Sequence, residues 1–336
     1  MYVTLFMDVE DLVAPEADDI AKTCSDILAE EGVQATMCIV GEKARLLKER
    51  GRSDVIQALK QHDIGFHSAT HSVHPTITEY LADKDWDTGV SEAIRREKPG
   101  VQALLDTFNL MPSCFAGPGN SWGPQICGAM EHLGIHSFVY AHTRIPEGGI
   151  HRFNGLTAYP WGGGFSDGNY QDDAKAELDR ERVTAHIVAK KDAGAFWQEV
   201  FLGHPTRILH EAFWDLANFE RGKVTPKEAW VPAPRKSEAD LQITLKNFRS
   251  AIQTVKSIPG VEIRAIRDMN QLLAPLPHHN ISPHEQSLVW NEIQGNLQGM
   301  SGWPIVPSDI DLSKIVKVTK ERLFTLKRYD WKHLTT

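Results

Sequence analysis

The sequence contains few cysteines, no long apolar run and no excess of basic residues. No Cys-x-x-Cys pair occurs, which argues against a zinc site built from thiolates. No stretch approaches the roughly 18 apolar residues that a membrane-spanning helix needs. The net charge of −8 argues against a nucleic-acid partner, because phosphate neutralisation requires a basic face. The cysteines read as reduced, mostly buried thiols at Cys24, Cys38, Cys114 and Cys127.

The amino terminus also lacks the features of a secretory signal. The stretch MYVTLFMDVED has no basic segment, and its apolar run ends at Asp8. The apolar fraction of 41% is enough for a large core. We therefore expect a cytoplasmic protein without a membrane span, and a homo-oligomer is compatible with this composition.

Strand-like apolar runs alternate with helix-like segments over residues 1–275. The runs include YVTLFM, TMCIV, DIGF, IHSFVYA and FWQEVFLG, and helical patterns lie between them. This alternation predicts an α/β fold with parallel strands, in the form of a (β/α) barrel. The segment DTGVSEAIRREKPGVQALLDTFN predicts a long helix that breaks or kinks at Pro99 and Gly100. Past Leu273 the stretch APLPHHNISPHEQ is typical of a linker, and residues 276–336 predict an extension that packs on the barrel or forms an irregular tail.

Polar residues follow three of the predicted strands. Asp8 and Glu10 follow the first strand, His67 and His71 follow the third, and His204 follows a late strand. Because the carboxyl ends of parallel strands open onto one face of a β/α fold, these residues are expected to meet there.

Each motif is ambiguous when it is taken alone. HSATH places His67 and His71 at i and i+4, which on a helical turn would aim both at one metal ion, although a chain with 15 histidines also produces such spacings by chance. The acids of MDVED could cap a helix, but a buried Asp8 needs a cation or hydrogen-bond donors. His204 in FLGHP could be a plain loop histidine. His74 is not expected to be a ligand.

Taken in order, the motifs resemble those of the polysaccharide deacetylases of carbohydrate esterase family 4, which have the NodB-homology fold. The resemblance covers roughly residues 2–273, and the corresponding segments are MDVED, HSATH, FAGPGNSW, YPWGGG and FLGHP. It implies a distorted parallel (β/α) barrel of the NodB-homology type with a C-terminal extension. The acid-spacer-acid form of the first motif resembles the variant branch of the family that carries D-x-D.

The resemblance implies a role for each polar residue of the first two motifs. Asp8 corresponds to the general base and Glu10 to the carboxylate ligand of a divalent metal, with Asp11 as an alternative ligand. His67 and His71 correspond to the metal histidines. Zinc is the expected metal, and cobalt and nickel are alternatives.

Further roles follow from the later motifs. His204 corresponds to the general acid that protonates the leaving nitrogen. The arginine that orients the base in many relatives is absent, because Ala116 stands at its position, and Arg207 and Trp122 are candidates to replace it. The oxyanion would be stabilised by the metal and by a backbone N–H of the FAGPGN loop. The predicted substrate-binding residues are Trp122, Trp161, Arg207 and Pro118.

The implied activity is hydrolysis of the N-acyl amide, in the first place N-acetyl, of an amino sugar, oligosaccharide or polysaccharide. Alternatives on the same fold are a cyclic amide or imide hydrolase similar to allantoinase, and an N-deformylase. A third interpretation is a non-catalytic carbohydrate-binding relative, which the missing arginine favours and the retained Asp8, His67, His71 and His204 disfavour. The expected partner is a carbohydrate or small amide substrate.

Overall fold

The computed structural model describes residues 1–119, 121–141, 145, 149–300, 305–307 and 309–330. Asn120 of the FAGPGNSW segment, and residues 301–304, 308 and 331–336 of the predicted extension, lie outside this description. Within the described residues, no helix combines the length and the apolar character needed to cross a bilayer.

One sheet organises the chain. Its described strands are β1 (Tyr2–Val9), β2 (Thr36–Ile39), β3 (Asp63–Phe66), β4 (Phe115–Ala116), β5 (Ser137–Ala141), β6 (His151–Phe153), β7 (Leu156–Pro160), β8 (Trp197–Gly203), β9 (Glu262–Ile263), β10 (His278–Asn280) and β11 (Lys327–Tyr329). The parallel part runs in the order β7-β5-β4-β3-β2-β1-β8, and β9 also pairs with β1. The hydrogen-bonded ladder does not close between β7 and β8. A parallel bridge between Gly164 and Phe201 links the segment after β7 to β8, so the sheet has the form of a distorted barrel that is not fully closed.

Alternation along the strands separates two buried layers. In β1, the side chains of Val3, Leu5, Met7 and Val9 pack in the core between sheet and helices, whereas Phe6 packs in the barrel interior. The interior cluster also contains Cys38, Cys114, Val139, Tyr159, Trp197 and Phe201. Because side chains along a strand alternate with a period of two, Asp8 and Glu10 at the end of β1 lie on the same interior face as Phe6.

Helices pack around the sheet, most of them on its outer face. They are α1 (Glu16–Glu30), α2 (Gly41–Glu49), α3 (Ser53–Leu59), α4 (Ile77–Leu81), α5 (Trp86–Phe108), α6 (Gln125–His132), α7 (Asp173–Asp192), α8 (Pro205–Leu209), α9 (Trp214–Phe219), α10 (Glu238–Ser257), α11 (Ile266–Leu273), α12 (Pro283–Met300) and α13 (Ser313–Glu321). Helix α11 differs, because it adds Ile266, Met269 and Leu273 to the interior cluster. Of the two predicted possibilities at Pro99, the break is wrong, because α5 continues through this residue, and the kink stays a prediction. A Cβ on the next residue, Gly100, would lie 2.6 Å from the Cα of Ala69, so this glycine allows α5 to approach the histidine segment closely.

The residues after 275 contribute to the same sheet. Where the sequence suggested a linker, His278 and His279 lie in β10, which pairs with β11, and β11 pairs antiparallel with β6. Helices α12 and α13 lie between β10 and β11 in the chain. The division into a domain of residues 1–275 and an extension of residues 276–336 stays a prediction.

Candidate active site

The end of β1 supplies two carboxylates to the interior. Asp8 and Glu10 are two residues apart, so both continue the interior face of Phe6, and their exposed fractions are only 4% and 3%. Asp11 has a different environment. Its Oδ1 accepts hydrogen bonds from the backbone N–H groups of Val13 and Ala14, and its Oδ2 accepts one from the Thr206 hydroxyl at 2.8 Å. Asp11 therefore fixes the turn into α1, and Glu10 is the carboxylate that faces the histidines.

The histidine segment is a loop and not a helical turn. Ser68 and His71 have φ values of 62° and 54°, in the left-handed region, and the Ser68 hydroxyl accepts the backbone N–H of His71 at 2.9 Å. The i, i+4 spacing is thus brought together by a compact turn, which corrects the helical interpretation of HSATH. His74 lies outside the site, and its Nδ1 is 2.7 Å from Glu79 Oε2.

A buried carboxylate of α5 supports this loop from behind. Glu97 accepts the backbone N–H of Ala69 at 2.7 Å and the hydroxyl of Tyr80 at 3.0 Å. Burial raises the pKa of Glu97 to about 7. The hydrogen bonds from Ala69 and Tyr80 favour the charged carboxylate and therefore limit this rise. The loop that carries His67 and His71 is therefore held by an acid that titrates near neutrality.

Glu10, His67 and His71 form a buried cluster whose ligand atoms lie within 4.8 Å of one another. His71 Nε2 is 2.9 Å from Glu10 Oε2, and His67 Nε2 is 3.9 Å from the same oxygen. Among the described residues, the buried atoms Glu10 Oε1 and His67 Nε2 have no hydrogen-bond partner. Buried polar atoms that face one another without donors are costly, and a cation between them would remove that cost.

Hydrogen bonds at the far side of each ring prepare both histidines for a metal. His67 Nδ1 lies 2.9 Å from the carbonyl oxygen of Ala116, which can only accept, so this nitrogen carries the proton and Nε2 presents its lone pair. His71 Nδ1 lies 2.6 Å from Ser72 Oγ, and this hydroxyl donates in turn to Asp215 Oδ2 at 2.6 Å. Such partners fix the tautomer and orientation of metal-binding histidines. The three residues therefore fit a divalent metal with an open coordination position.

The charges within the cluster oppose the effect of burial. Burial would raise the pKa of Glu10, but His71, His204 and His67 outweigh it and hold that pKa at about 2. Burial lowers the pKa of His67. For His71 the effect of burial is outweighed by Glu10, so its pKa is raised. Glu10 is thus an anion in this site and a competent metal ligand.

His204 approaches the same two carboxylates as His67 does. Its Nε2 is 3.8 Å from Asp8 Oδ2 and 3.8 Å from Glu10 Oε2. Its Nδ1 donates to Asp167 Oδ2 at 2.6 Å, and its backbone N–H donates to Asp167 Oδ1 at 3.2 Å. Burial alone would lower the pKa of His204, but Asp167 and the carboxylates of Glu10 and Asp8 raise it to about 10. His204 therefore carries a proton on Nε2 that points towards Asp8 and Glu10.

Asp167 was not predicted as a site residue. It lies in a short 3-10 turn, Asp167–Asn169, that follows the Gly-rich stretch after β7. Gly203 permits the contact, because a Cβ at that position would lie 1.9 Å from Asp167 Oδ1. An acid shortly after a strand, together with a glycine immediately before His204, was the available signal in the sequence.

Asp8 is oriented by a residue that the sequence did not indicate. The hydroxyl of Tyr140 donates to Asp8 Oδ1 at 2.9 Å. The two predicted candidates make other contacts: Arg207 donates to the carbonyl of His210 at 3.0 Å, and the backbone N–H of Trp122 donates to the Thr78 hydroxyl at 2.9 Å. Asp8 Oδ2 faces the histidines, with His67 Nε2 at 3.7 Å.

Aromatic side chains pack next to His204 and next to Tyr140, the partner of Asp8. The ring of Trp161 is 5.3 Å from that of Tyr140 and 5.6 Å from that of Phe201, and its side chain is 42% exposed. Phe213 packs edge-on against His204 at 4.9 Å. The other predicted substrate-binding residues have different surroundings. Trp122 and Pro118 are buried, and the Arg207 guanidinium stacks over the Phe213 ring. Substrate contacts by these four residues stay predictions.

Comparison with known proteins shows which solved structures share the fold of this chain. No protein-family model and no curated protein matches the sequence. Among solved structures, a Mycobacterium smegmatis protein provisionally described as a polysaccharide deacetylase is 16% identical with a TM-score of 0.50, over 81% of this chain and 90% of its own. A family 4 carbohydrate esterase from Streptomyces lividans is 15% identical with a TM-score of 0.42, over 77% of this chain and 90% of its own. A family 4 pseudoenzyme from Bacillus anthracis is 13% identical with a TM-score of 0.42, over 80% of this chain and 64% of its own.

The superposition on the Mycobacterium smegmatis structure decides the fold. Identity at this level does not carry an activity from one chain to another. The chain therefore has the fold of that structure, which confirms the resemblance in fold and the predicted α/β architecture.

Proposed function

We propose that the protein is a metal-dependent hydrolase that removes an N-acyl group, in the first place acetyl, from an amino sugar or from an oligo- or polysaccharide of amino sugars. The observation that carries the proposal is the buried Glu10–His67–His71 cluster, flanked by the carboxylate of Asp8 and the imidazole of His204. Zinc is the proposed metal because two imidazoles and a carboxylate suit an open catalytic zinc site, and cobalt and nickel accept the same ligands.

Asp8 is the proposed general base. Its Oδ1 is occupied by the Tyr140 hydroxyl, whereas Oδ2 faces His67 and His204 and is available to take a proton. A water molecule between Oδ2 and the histidine cluster would lose its proton to Asp8 as its oxygen attacks the amide carbon. A bound metal would supply Lewis acidity towards the carbonyl and the attacking water.

His204 is the proposed general acid. An amide nitrogen does not leave as an anion, so it must be protonated as the C–N bond breaks. Asp167 keeps the imidazole of His204 charged and fixes Nδ1 as a donor, which directs the Nε2 proton into the site. The attacking oxygen and the leaving nitrogen would thus meet groups of opposite function beside the same cluster.

The substrate class follows from the rim and from the fold. The exposed face of Trp161 offers an aromatic surface next to the catalytic side chains, and aromatic faces suit sugar rings. The Mycobacterium smegmatis protein of the same fold is provisionally described as a polysaccharide deacetylase. Our proposal extends that description to this chain as an activity on N-acyl amino sugars.

The first test is metal content together with turnover. Untagged wild type and a His67→Ala/His71→Ala variant would be purified in parallel, and His132→Ala/His136→Ala, which removes two exposed histidines, serves as the matched control. We expect about one equivalent of zinc in the wild type and the control, and none in the cluster variant. The proteins would then be assayed on N-acetyl and N-formyl glucosamine oligomers.

Two outcomes would contradict the proposal. Absence of metal from the wild type, even after incubation with zinc, would exclude the metal mechanism and favour a metal-free cyclic-amide hydrolase. Stoichiometric zinc without turnover of any N-acyl sugar would favour a carbohydrate-binding relative, for which an Asp8→Asn variant should bind sugar as well as the wild type does.

A further inference from the structure

We infer that Tyr140 is the positioning residue of the general base, holding the Asp8 carboxylate so that a single oxygen faces the reacting atoms. This inference rests on the proposed function.

The backbone of β5 departs from a regular strand at Tyr140. Phe138 packs in the core between sheet and helices, and Val139 packs in the barrel interior, so a regular strand would turn Tyr140 outward again. Pairing with β7 is regular up to Val139, is then shifted, and resumes at Ala141. Tyr140 has a φ of 59°, which is rare for a residue with a Cβ. This bulge turns the Tyr140 side chain back towards the interior, next to Asp8.

Backbone strain of this kind persists where the surroundings fix it, and it concentrates at functional sites. Here the ring of Tyr140 packs 5.7 Å from that of Phe6, 5.3 Å from that of Trp161 and 6.0 Å from that of Phe201. These three contacts come from β1, from the segment after β7, and from β8. The ring is therefore enclosed on several sides, and its hydroxyl is delivered to one atom, Asp8 Oδ1.

The hydrogen bond from Tyr140 gives the two carboxylate oxygens of Asp8 different environments. Oδ1 accepts from Tyr140 at 2.9 Å, and Oδ2 lies 3.7 Å from His67 Nε2 and 3.8 Å from His204 Nε2. Burial raises the pKa of Tyr140 well above its ordinary value, so the phenol remains a donor. Rotation of the carboxylate would break the bond to Tyr140, and the bond therefore keeps Oδ2 directed into the site.

Ala116 explains why this donor matters in this chain. At the position where the resembling deacetylases carry a base-orienting arginine, the side chain is a methyl group, and the carbonyl of Ala116 is engaged by His67. Tyr140 comes from the neighbouring strand, since β5 pairs with β4 through Val139 and Ala116. A neutral phenol delivered by a bulge thus bonds to Asp8 in a chain whose residue 116 offers no side-chain donor.

The test compares Tyr140→Phe with Tyr159→Phe. Tyr159 is a matched control because it is also a buried tyrosine of the barrel, but its hydroxyl donates to Asn270 at 2.8 Å and does not reach the site. For Tyr140→Phe we expect kcat to fall roughly 10- to 100-fold with KM changed less than about twofold, because a misplaced catalytic group loses rate while substrate binding remains. Zinc stoichiometry should stay at about one equivalent. Tyr159→Phe should keep the wild-type kcat.

Crystal structures of the zinc-loaded wild type and of Tyr140→Phe give a readout that does not depend on turnover. We expect the tyrosine–carboxylate bond in the wild type and a rotated Asp8 carboxylate in the variant. An unchanged kcat, an unmoved Asp8 carboxylate or a loss of zinc in Tyr140→Phe would each overturn the inference. If the wild type binds zinc but hydrolyses no N-acyl sugar, the proposed function fails, and the two structures still decide whether Tyr140 orients Asp8.

Discussion

Replacing Glu97 with glutamine should remove a pH-dependent contribution to stability. Glu97 is buried behind the loop of residues 67–71, where it accepts hydrogen bonds from Ala69 and Tyr80. Its pKa is about 7 in the folded chain, because burial disfavours its charged form, and the ordinary value is 4.5. The folded protein therefore retains a proton between these pH values that the unfolded chain has already lost.

The sign and the size of the effect follow from this difference. Since the folded-state pKa is raised, the contribution to stability is fully present below pH 4.5 and is lost as the pH rises through about 7. The difference between 4.5 and about 7 corresponds to roughly 3 kcal/mol of unfolding free energy, at about 1.4 kcal/mol per pKa unit. Glutamine does not titrate, but its buried amide N–H₂ group would face the Ala69 and Tyr80 donors without an acceptor. This lowers the free energy of unfolding by about 1–3 kcal/mol at every pH.

The assay is urea unfolding of metal-free protein at several values between pH 4.5 and pH 8. Wild type should be more stable than Glu97→Gln at the acid end, and this advantage should shrink by roughly 3 kcal/mol at the alkaline end. Glu92→Gln is the control on the same helix, since Glu92 pairs with Arg95 and Arg96 and has a pKa of about 2, so its difference from wild type should stay flat above pH 5. A constant difference for Glu97→Gln across this range would refute the reasoning.

Two further predictions concern carboxylates that contact the imidazoles: Asp167 bonds to His204 directly, and Asp215 reaches His71 through Ser72. Asp167→Asn should lower kcat by roughly 100-fold or more while zinc content stays at that of the wild type, because Asp167 bonds to His204 and to no proposed metal ligand. Steady-state kinetics with elemental analysis would check this, and an unchanged kcat would argue against an acid role for His204. Asp215→Ala should weaken zinc binding about 10- to 100-fold, since it removes the acceptor that orients the Ser72 hydroxyl against His71 Nδ1. Competition with a fluorescent chelator measures this, and equal affinity would show that the link does not tune His71.

The sequence contains enough information to place the main polar groups together. Alternation along β1 puts Asp8 and Glu10 on one face, and the rule that parallel strands end at one edge brings His67 and His204 to the same place. These inferences depend on strand periodicity, which is local and easily read. The same applies to the helix α10, whose apolar spacing is clear in the sequence and whose first turn is capped by Ser237.

The supporting residues could not be found in this way. Tyr140 reaches Asp8 through a bulge that reverses the alternation of β5, and Asp167 reaches His204 because a loop folds back onto Gly203. Pro99 lies within α5 without ending it, and the next residue, Gly100, packs closely against Ala69 of the histidine segment. For Tyr140 and Asp167 a tertiary contact between distant segments decides the local structure, and no local pattern records that contact.

The gap in strand pairing between β7 and β8 divides the site into two parts that differ in how readily their sequences can tolerate insertions and deletions. The proposed metal ligands Glu10, His67 and His71 follow strands that are paired continuously from β1 to β3. Trp161 and Asp167 belong to the segment that spans the gap, which is attached by the Gly164–Phe201 bridge and by bonds from Ser166 and Asn169 to Asp179. Insertions or deletions in this segment can alter Trp161 and the partner of His204 without shifting the register of β1, β2 and β3, so the fold would allow substrate preference to diversify around the proposed hydrolytic centre.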